Sequence, residues 1–346
     1  MKRRRNNFDF LRFLFALFVV MSHAYPLSGG DESSLWIYKI TNGQIVLAQV
    51  GLSGFFVISG YFIFQSMQRS KTILQYIKKR VLRLFPALFV VLLLSISLAP
   101  LLYQSDVPYL SNKAMWSYLP NNLSLYGFQA VIPGVFDTNP YHAVNGSLWT
   151  IRYEFSLYLW VALLFFIRNK LRLVQIYLIV TFAVMYILFQ FYGAQCYGAS
   201  IFGMQGFHIL NLGGFFVFGG VLAAFQFEKF SQNWVVLVSG LGLVLALYFN
   251  CYNMVRHVLL SVFILQLGFM PLPFFGRFGI WGDASYGIYI YSFPVQQTLM
   301  YYFKMDTLQL MLYSCVISIG FGYMSWHFVE KYALKLKYRH FLFDCR

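Results

Sequence analysis

An all-α, polytopic bundle of about ten membrane-spanning helices is the fold that this chain predicts, and three observations predict it. Hydrophobic residues make up 59% of the sequence and charged ones only 11%, mean hydropathy is +0.62, and apolar runs of spanning length recur from one end to the other. The runs fall near 10–27, 44–66, 84–103, 148–167, 173–192, 208–227, 233–250, 257–275, 280–303 and 308–328. Each is close to the length that a ~30 Å hydrocarbon core demands of a helix. The Gly-containing runs at 208–227 and 257–275 have the softest boundaries. Residues 1–346 read as one integral membrane domain, without a soluble domain, internal repeat or low-complexity tract.

Basic residues orient the bundle, because short cytoplasmic segments accumulate Lys and Arg. With both termini inside, the inner segments collect Lys2 to Arg5, Arg69, Lys71, Lys78, Lys79, Arg80, Arg83, Arg168, Lys170, Arg172, Lys229, Arg277 and the basic residues from Lys331 onward. The outer side keeps Lys39, Lys113, Arg152, Arg256 and Lys304. A net charge of +15 then reflects topology and anionic membrane lipid, and argues against nucleic acid as a partner. The basic start followed by an apolar run looks like a signal peptide. It has no small-residue cleavage site, so we read it as a retained first helix in the cell's inner or plasma membrane.

Cys196, Cys251, Cys315 and Cys345 show neither metal-ligand spacing nor a disulfide framework; Cys196 and Cys251 fall on the same outer side. His142, His208, His257, His327 and His340 have no partner spacing that suggests a metal, and none is expected. The longest polar stretch, 104–146, interleaves Tyr109, Trp116, Tyr118, Tyr126 and Tyr141 with prolines. Such aromatics either stack on sugars or anchor a loop at the interface, and anchoring is the plainer expectation.

Arg12 and His23 stand out inside the first run. Eleven residues return a helix to nearly the same azimuth about 16 Å further along its axis, so the two line one face at two depths. A charged group within a span costs on the order of 3 kcal/mol or more and marks a functional polar path. Asp9, one turn before Arg12, is placed to pair with it. Glu154 lies in the fourth span at about the depth of His23, on one face with Ser147 and Tyr158, where a carboxylate can orient an imidazole or else pair with Arg152 or a tyrosine as structure alone. The glycine-rich segment 51–60 reads as close helix packing. Tyr286, Tyr289 and Phe293 read as a core stripe.

The order of these motifs resembles a known family. Phe8-Asp9-Phe10-Leu11-Arg12 is followed after ten residues by His23, then by Gly51-Leu52-Ser53-Gly54-Phe55-Phe56, by Arg80 and Arg83, by Ser147-Leu148-Trp149 with Glu154, and by Ser285-Tyr286-Gly287. Ser325-Trp326-His327 to Glu330 closes the series. The set is similar to acyltransferase 3, the O-acetyltransferase-like integral membrane enzymes, over nearly the whole chain. The resemblance implies activity associated with Arg12, His23, Arg80 and Arg83, a cytoplasmic acyl-CoA donor (acetyl-CoA in the first instance), and a hydroxyl acceptor on a cell-surface glycan or glycolipid. Two positions depart from the pattern. Ser292 stands where relatives often carry histidine, so no second catalytic imidazole belongs there, and Tyr332 stands where proline is common.

On this reading His23 acts as general base and Glu154 orients it, while Arg80 and Arg83, with Lys79 beside them, bind donor phosphates through charge-assisted bonds. A non-enzymatic transporter or channel using Arg12, His23 and Glu154 as a polar relay is the rival class. A polyprenyl-linked glycosyl transferase would need a pair of metal-binding acids on an inner loop. Asp9, Glu228, Asp283, Glu330 and Asp344 are too scattered in sequence to supply one.

Overall fold

A computed structural model describes residues 6–230, 232–272 and 275–338. Thirteen α-helices follow in order: α1 (Phe8–Leu27), α2 (Trp36–Ile40), α3 (Leu47–Gln68), α4 (Ile73–Leu98), α5 (Lys113–Leu123), α6 (Ile151–Leu163), α7 (Leu171–Tyr192), α8 (Gly206–Ala224), α9 (Asn233–Tyr248), α10 (Tyr252–Phe269), α11 (Ser285–Phe303), α12 (Thr307–Ser325) and α13 (Lys331–Lys335). Among the described residues the only sheet is a two-residue hairpin, Ser200–Ile201 with Met204–Gln205. The protein is a multi-pass, all-α membrane bundle.

Each expected run contains a helix, although α10 stops at Phe269 within the expected 257–275, of which 273 and 274 lie outside the described residues, and α11 starts only at Ser285 within the expected 280–303. Among the described residues, eight helical stretches are long and apolar enough to cross a membrane. α9 is shorter, at 16 residues. α11 has the length, 19 residues, but carries Ser285, Ser292, Gln296 and Gln297, all buried. A helix with that polar content is tolerated within a bundle where its side chains find partners.

Local signals set several ends. Thr72 caps α4 by accepting from the Gln75 amide, and Asp306 with Gln309 closes a capping box at the start of α12. The 51–60 glycines pack as expected: a Cβ at Gly60 would collide with the Phe216 carbonyl of α8, and one at Gly54 with the Phe15 ring of α1. Backbones can approach that closely only where side chains vanish. α1 lies centrally between α3, α11 and α12, with α8 behind α3. α7 turns Ile176, Val180, Ile187 and Phe191 outward, as lipid requires.

One boundary moved with consequences. α10 begins at Tyr252, earlier than the expected 257, so Arg256 and His257 are not an exposed flank but sit buried inside the helix. Arg256 donates to Asn211 Oδ1 at 2.8 Å and lies between the Phe189 and Phe215 rings. Its charge is thus absorbed by an amide and two ring faces.

Candidate active site

A cavity of about 580 Å³ opens among α1, α3, α4, α6 and α11 at the end of the bundle that holds Asp9 and Lys337, so both ends of the described chain lie there. Arg12, Lys79, Arg80, Arg83 and Glu154 all line it. Along α3 its wall runs from Arg69 through Ser66 and Ser59 to Phe55 and Leu52, which at helical rise is about 25 Å. The lining is therefore densely charged at the mouth, where Asp9 and Asp283 stand among the basic residues, mixes Ser66, Ser59 and Glu154 with Phe62 and Ile63 midway, and is mainly aromatic and aliphatic at depth.

The cations divide into two groups. Arg83 is held by two carboxylates, Asp283 at 2.6 Å and Glu330 at 3.3 Å. Arg12 shares Asp283, at 3.7 Å, and meets Asp9 at 3.4 Å. Arg80 has no ion pair among the described residues: its guanidinium donates to Ser66 Oγ at 3.3 Å and stacks between Tyr76 and Tyr158, while its Nε is buried without a partner. Lys79 donates to Ser70 Oγ at 3.1 Å. Spacing put Arg80 and Arg83 on one face, but only the tertiary structure distinguishes a neutralised arginine from one with charge to spare.

Asp283 and Glu330 were discounted in the sequence as scattered acids, and local geometry aims both. Gly282, at φ +104, turns the chain just before Asp283, and a Cβ there would enter the Trp326 indole. Glu330 ends a π-helical turn, Trp326–Glu330, that widens the end of α12, and Ser325 Oγ donates to its carboxylate at 3.0 Å. Such single π turns commonly mark functional positions.

Glu154 faces the cavity, where it accepts from Ser59 Oγ at 3.3 Å and from the Tyr158 hydroxyl. The expected contact with His23 is not made: the carboxylate's partners lie on α3 and α6, on the cavity side. The aromatic stripe is also more than core. Tyr286 and Tyr289 line the cavity, and Tyr289 OH donates to the Ser147 carbonyl at 2.8 Å with Thr150 Oγ1 at 2.6 Å.

His23 stands outside this lining. It is half-buried, its Nδ1 is enclosed without a hydrogen-bond partner, and its ring packs edge-on against Phe293 at 5.6 Å. Phe293 follows Tyr289 by four residues, about 6 Å along α11. The imidazole is thus roughly one helical turn beyond the deep end of the cavity, across an aromatic ring. Pro294 sits inside α11 at this level; lacking an amide hydrogen, it leaves the Ile290 carbonyl without its helical donor. Asn145 Nδ2 supplies one at 2.8 Å, and Asn145 Oδ1 accepts from the Ser147 amide at 3.1 Å. Sequence reasoning missed Asn145; an Asn just before Ser147-Leu148-Trp149 and a proline in a helix were its only signals.

In the last turns of α1, Ser22 donates to Glu32, which lies just past the helix, at 2.6 Å. Burial pushes the Glu32 carboxyl above its ordinary value, neighbouring Asp31 adds to the rise, and the Ser22 bond opposes it. Cys196, Cys251 and Cys315 are free thiols; Cys345 and His340 lie outside the described residues.

Comparison with known proteins fits this geometry. Residues 5–327 match a family described as an acyltransferase domain. The chain is 29% identical to an O-acetyl transferase of Shigella phage Sf6 over 342 residues, covering 95% of this chain and 96% of that protein. It is 25% identical to nodulation protein 10 of Rhizobium leguminosarum bv. viciae over 365 residues, covering 96% and 94%. No solved structure matches it. With the acyltransferase match covering residues 5–327 and an O-acetyl transferase among the relatives, the relay without chemistry gives way, and the chain belongs to the acyltransferase 3 family of membrane acyltransferases.

Proposed function

We propose that the protein moves an acyl group, acetyl in the first instance, from cytoplasmic acyl-CoA to a hydroxyl of a cell-surface glycan or glycolipid, from the cell's inner or plasma membrane with both termini cytoplasmic. The observation that carries this reading is the graded cavity. A coenzyme A thioester is itself graded, from phosphates through a flexible amide-bearing arm to an apolar acyl end, and the ~25 Å wall from Arg69 to Leu52 is ordered the same way.

Arg80 and Lys79 take the phosphates, since their charge is not already matched by carboxylates. Arg83, between Asp283 and Glu330, and Arg12, between Asp9 and Asp283, hold the mouth of the cavity in shape. Ser59, Glu154 and Tyr158 offer hydrogen-bonding groups along the arm. The acyl carbonyl then lies near Phe55 and Tyr289, one turn short of His23.

His23 acts from the far side as general base. As the acceptor hydroxyl attacks the thioester carbonyl, its proton passes to the imidazole, the C–S bond breaks, and the sulfur leaves as coenzyme A thiolate, which takes up a proton. A neutral imidazole suits that task near neutral pH. Donor and acceptor enter from opposite ends, and Phe293 must shift for them to meet.

Membranes bearing the protein, given acetyl-CoA labelled in the acetyl group and the host's surface polysaccharide, should place label in the polysaccharide and release free coenzyme A. His23→Ala should abolish both at an unchanged level of folded protein. Transfer at full rate in that variant removes the general-base assignment; absence of transfer in the native protein removes the reading.

A further inference from the structure

The loop that crosses the end of α1 presents a feature that folding alone does not explain. Its backbone is pinned from beneath by two buried amides. Asn139 Nδ2 donates to the Gln297 carbonyl at 2.9 Å and to its Oε1 at 3.0 Å, and Gln297 Nε2 donates to the carbonyls of Tyr141 at 2.5 Å and Ala143 at 2.6 Å. Pro140 is close enough to meet a Cβ at Gly29, two residues beyond the last turn of α1. Between these anchors the Tyr141 side chain is left 47% exposed, and its hydroxyl has no hydrogen bond among the described residues.

The other aromatics of the same stretch are committed elsewhere. Tyr118 is fully buried, Tyr109 donates to the Ile96 carbonyl, Tyr126 pairs with Ser156, and Trp116, although 64% exposed, donates its indole N–H to the Leu110 carbonyl ahead of α5, with no ring contact that leads toward His23 among the described residues. Tyr141 instead leans on Phe293, with ring centroids 5.9 Å apart, and Phe293 leans on His23. A half-open ring on a pinned backbone, beside the one that packs on the imidazole, is preorganised to receive a flat, partly apolar ligand.

We propose that Tyr141 is the platform on which a pyranose ring of the acceptor stacks, presenting a hydroxyl toward His23. The proposal rests on the acyl-transfer reading and adds the acceptor's subsite to it. The apolar C–H face of a sugar lies on the aromatic face, and water is displaced from both. The ring face, not the phenol, carries the interaction. A polysaccharide and a lipid-linked oligosaccharide present the same ring, and both would bind here.

Saturation-transfer NMR on the intact protein in nanodiscs tests this without needing turnover, using the methyl glycosides of glucose, galactose, mannose and rhamnose as probes. Saturation should reach the ring C–H protons of at least one glycoside. Tyr141→Ala should weaken its Kd by about threefold to tenfold, the range expected for one aromatic contact. Tyr141→Phe and His23→Ala should keep it. Coenzyme A binding, measured in parallel, should be the same in all four proteins, showing that the fold survives. No saturation of any glycoside in the native protein, an unchanged Kd in Tyr141→Ala, or a loss in Tyr141→Phe equal to that in Tyr141→Ala each overturns the platform. Glycoside binding that depends on Tyr141 without coenzyme A release from acetyl-CoA would instead sink the acyl-transfer reading and leave the sugar site standing.

Discussion

Asn145 Nδ2 donates to the Ile290 carbonyl at 2.8 Å, the carbonyl that Pro294 leaves without a helical donor. A defect in one helix and a loop that would otherwise hang over the bundle thereby complete each other. The same Asn caps the turn that carries Ser147 and Thr150, both partners of Tyr289 at the deep end of the cavity.

Asn145→Ala should therefore destabilise the protein by about 1–3 kcal/mol, because a buried carbonyl and an amide both lose their partner. Asn145→Asp should do no better: it keeps the cap on Ser147 but turns a lone pair toward the Ile290 carbonyl. Thermal unfolding in detergent, followed by size-exclusion, reads both. An Asn145→Asp variant as stable as the native protein would deny the interaction its importance.

The two arginines three residues apart should separate cleanly. Arg80→Ala should weaken acyl-CoA binding tenfold or so, the value of about 1.4 kcal/mol that one charge-assisted contact supplies, with little effect on folding. Arg83→Ala leaves the buried Glu330 carboxylate without its arginine and Asp283 with Arg12 alone, and should cost up to about 3 kcal/mol of stability, the low end of what removing one member of a buried ion pair costs. Coenzyme A titrations beside melting curves make the comparison, and equal loss of affinity in two equally stable variants would cancel the division of labour.

Phe293 lies between the cavity and His23, and Gly146 leaves it room. A Cβ at Gly146 would stand 2.7 Å from Phe293 Cε2 and Cζ, so Gly146→Ala must displace the ring. We expect kcat to fall about tenfold, or about 1.4 kcal/mol in the barrier, with acyl-CoA affinity unchanged. Adding Phe293→Leu should restore much of the rate. If the double variant is as slow as Gly146→Ala alone, the ring is not what the methyl group disturbs.

Glu32 gives the protein a pH-dependent element outside the spans. Its folded-state pKa is raised by burial, so the fold favours the protonated carboxyl. Its effect on stability is most favourable below the ordinary carboxyl range, declines as pH rises through the raised folded value, and is level above it. Glu32→Gln should therefore gain stability relative to the native protein between pH 4 and pH 7. A difference in Tm that stays constant across that interval contradicts the assignment.

Much of the architecture was legible because the bilayer imposes it locally. Twenty apolar residues announce a span wherever they occur, and Arg12 and His23 announce a polar path because their charge and imidazole are costly in hydrocarbon. The cavity's lining was legible in part: Arg12, Lys79, Arg80, Arg83 and Glu154 were named from the chain and converge on it. The acids around Arg83 were not, since Asp283 and Glu330 are 200 and 247 residues away from it and neither spacing carries a periodicity.

By itself, then, the amino-acid order determined a helical membrane protein, its spans, the segregation of its charge and the residues worth suspecting, all of which follow from periodicity and transfer energy along a single segment. Which arginine is matched by carboxylates, that Glu154 faces the cavity instead of His23, and that Phe293 stands between the cavity and the imidazole were decided only by tertiary structure. Each depends on which helix face meets which neighbour. That is a matter of packing, such as the glycine contacts of α3 with α1 and α8, and no window along one helix records it.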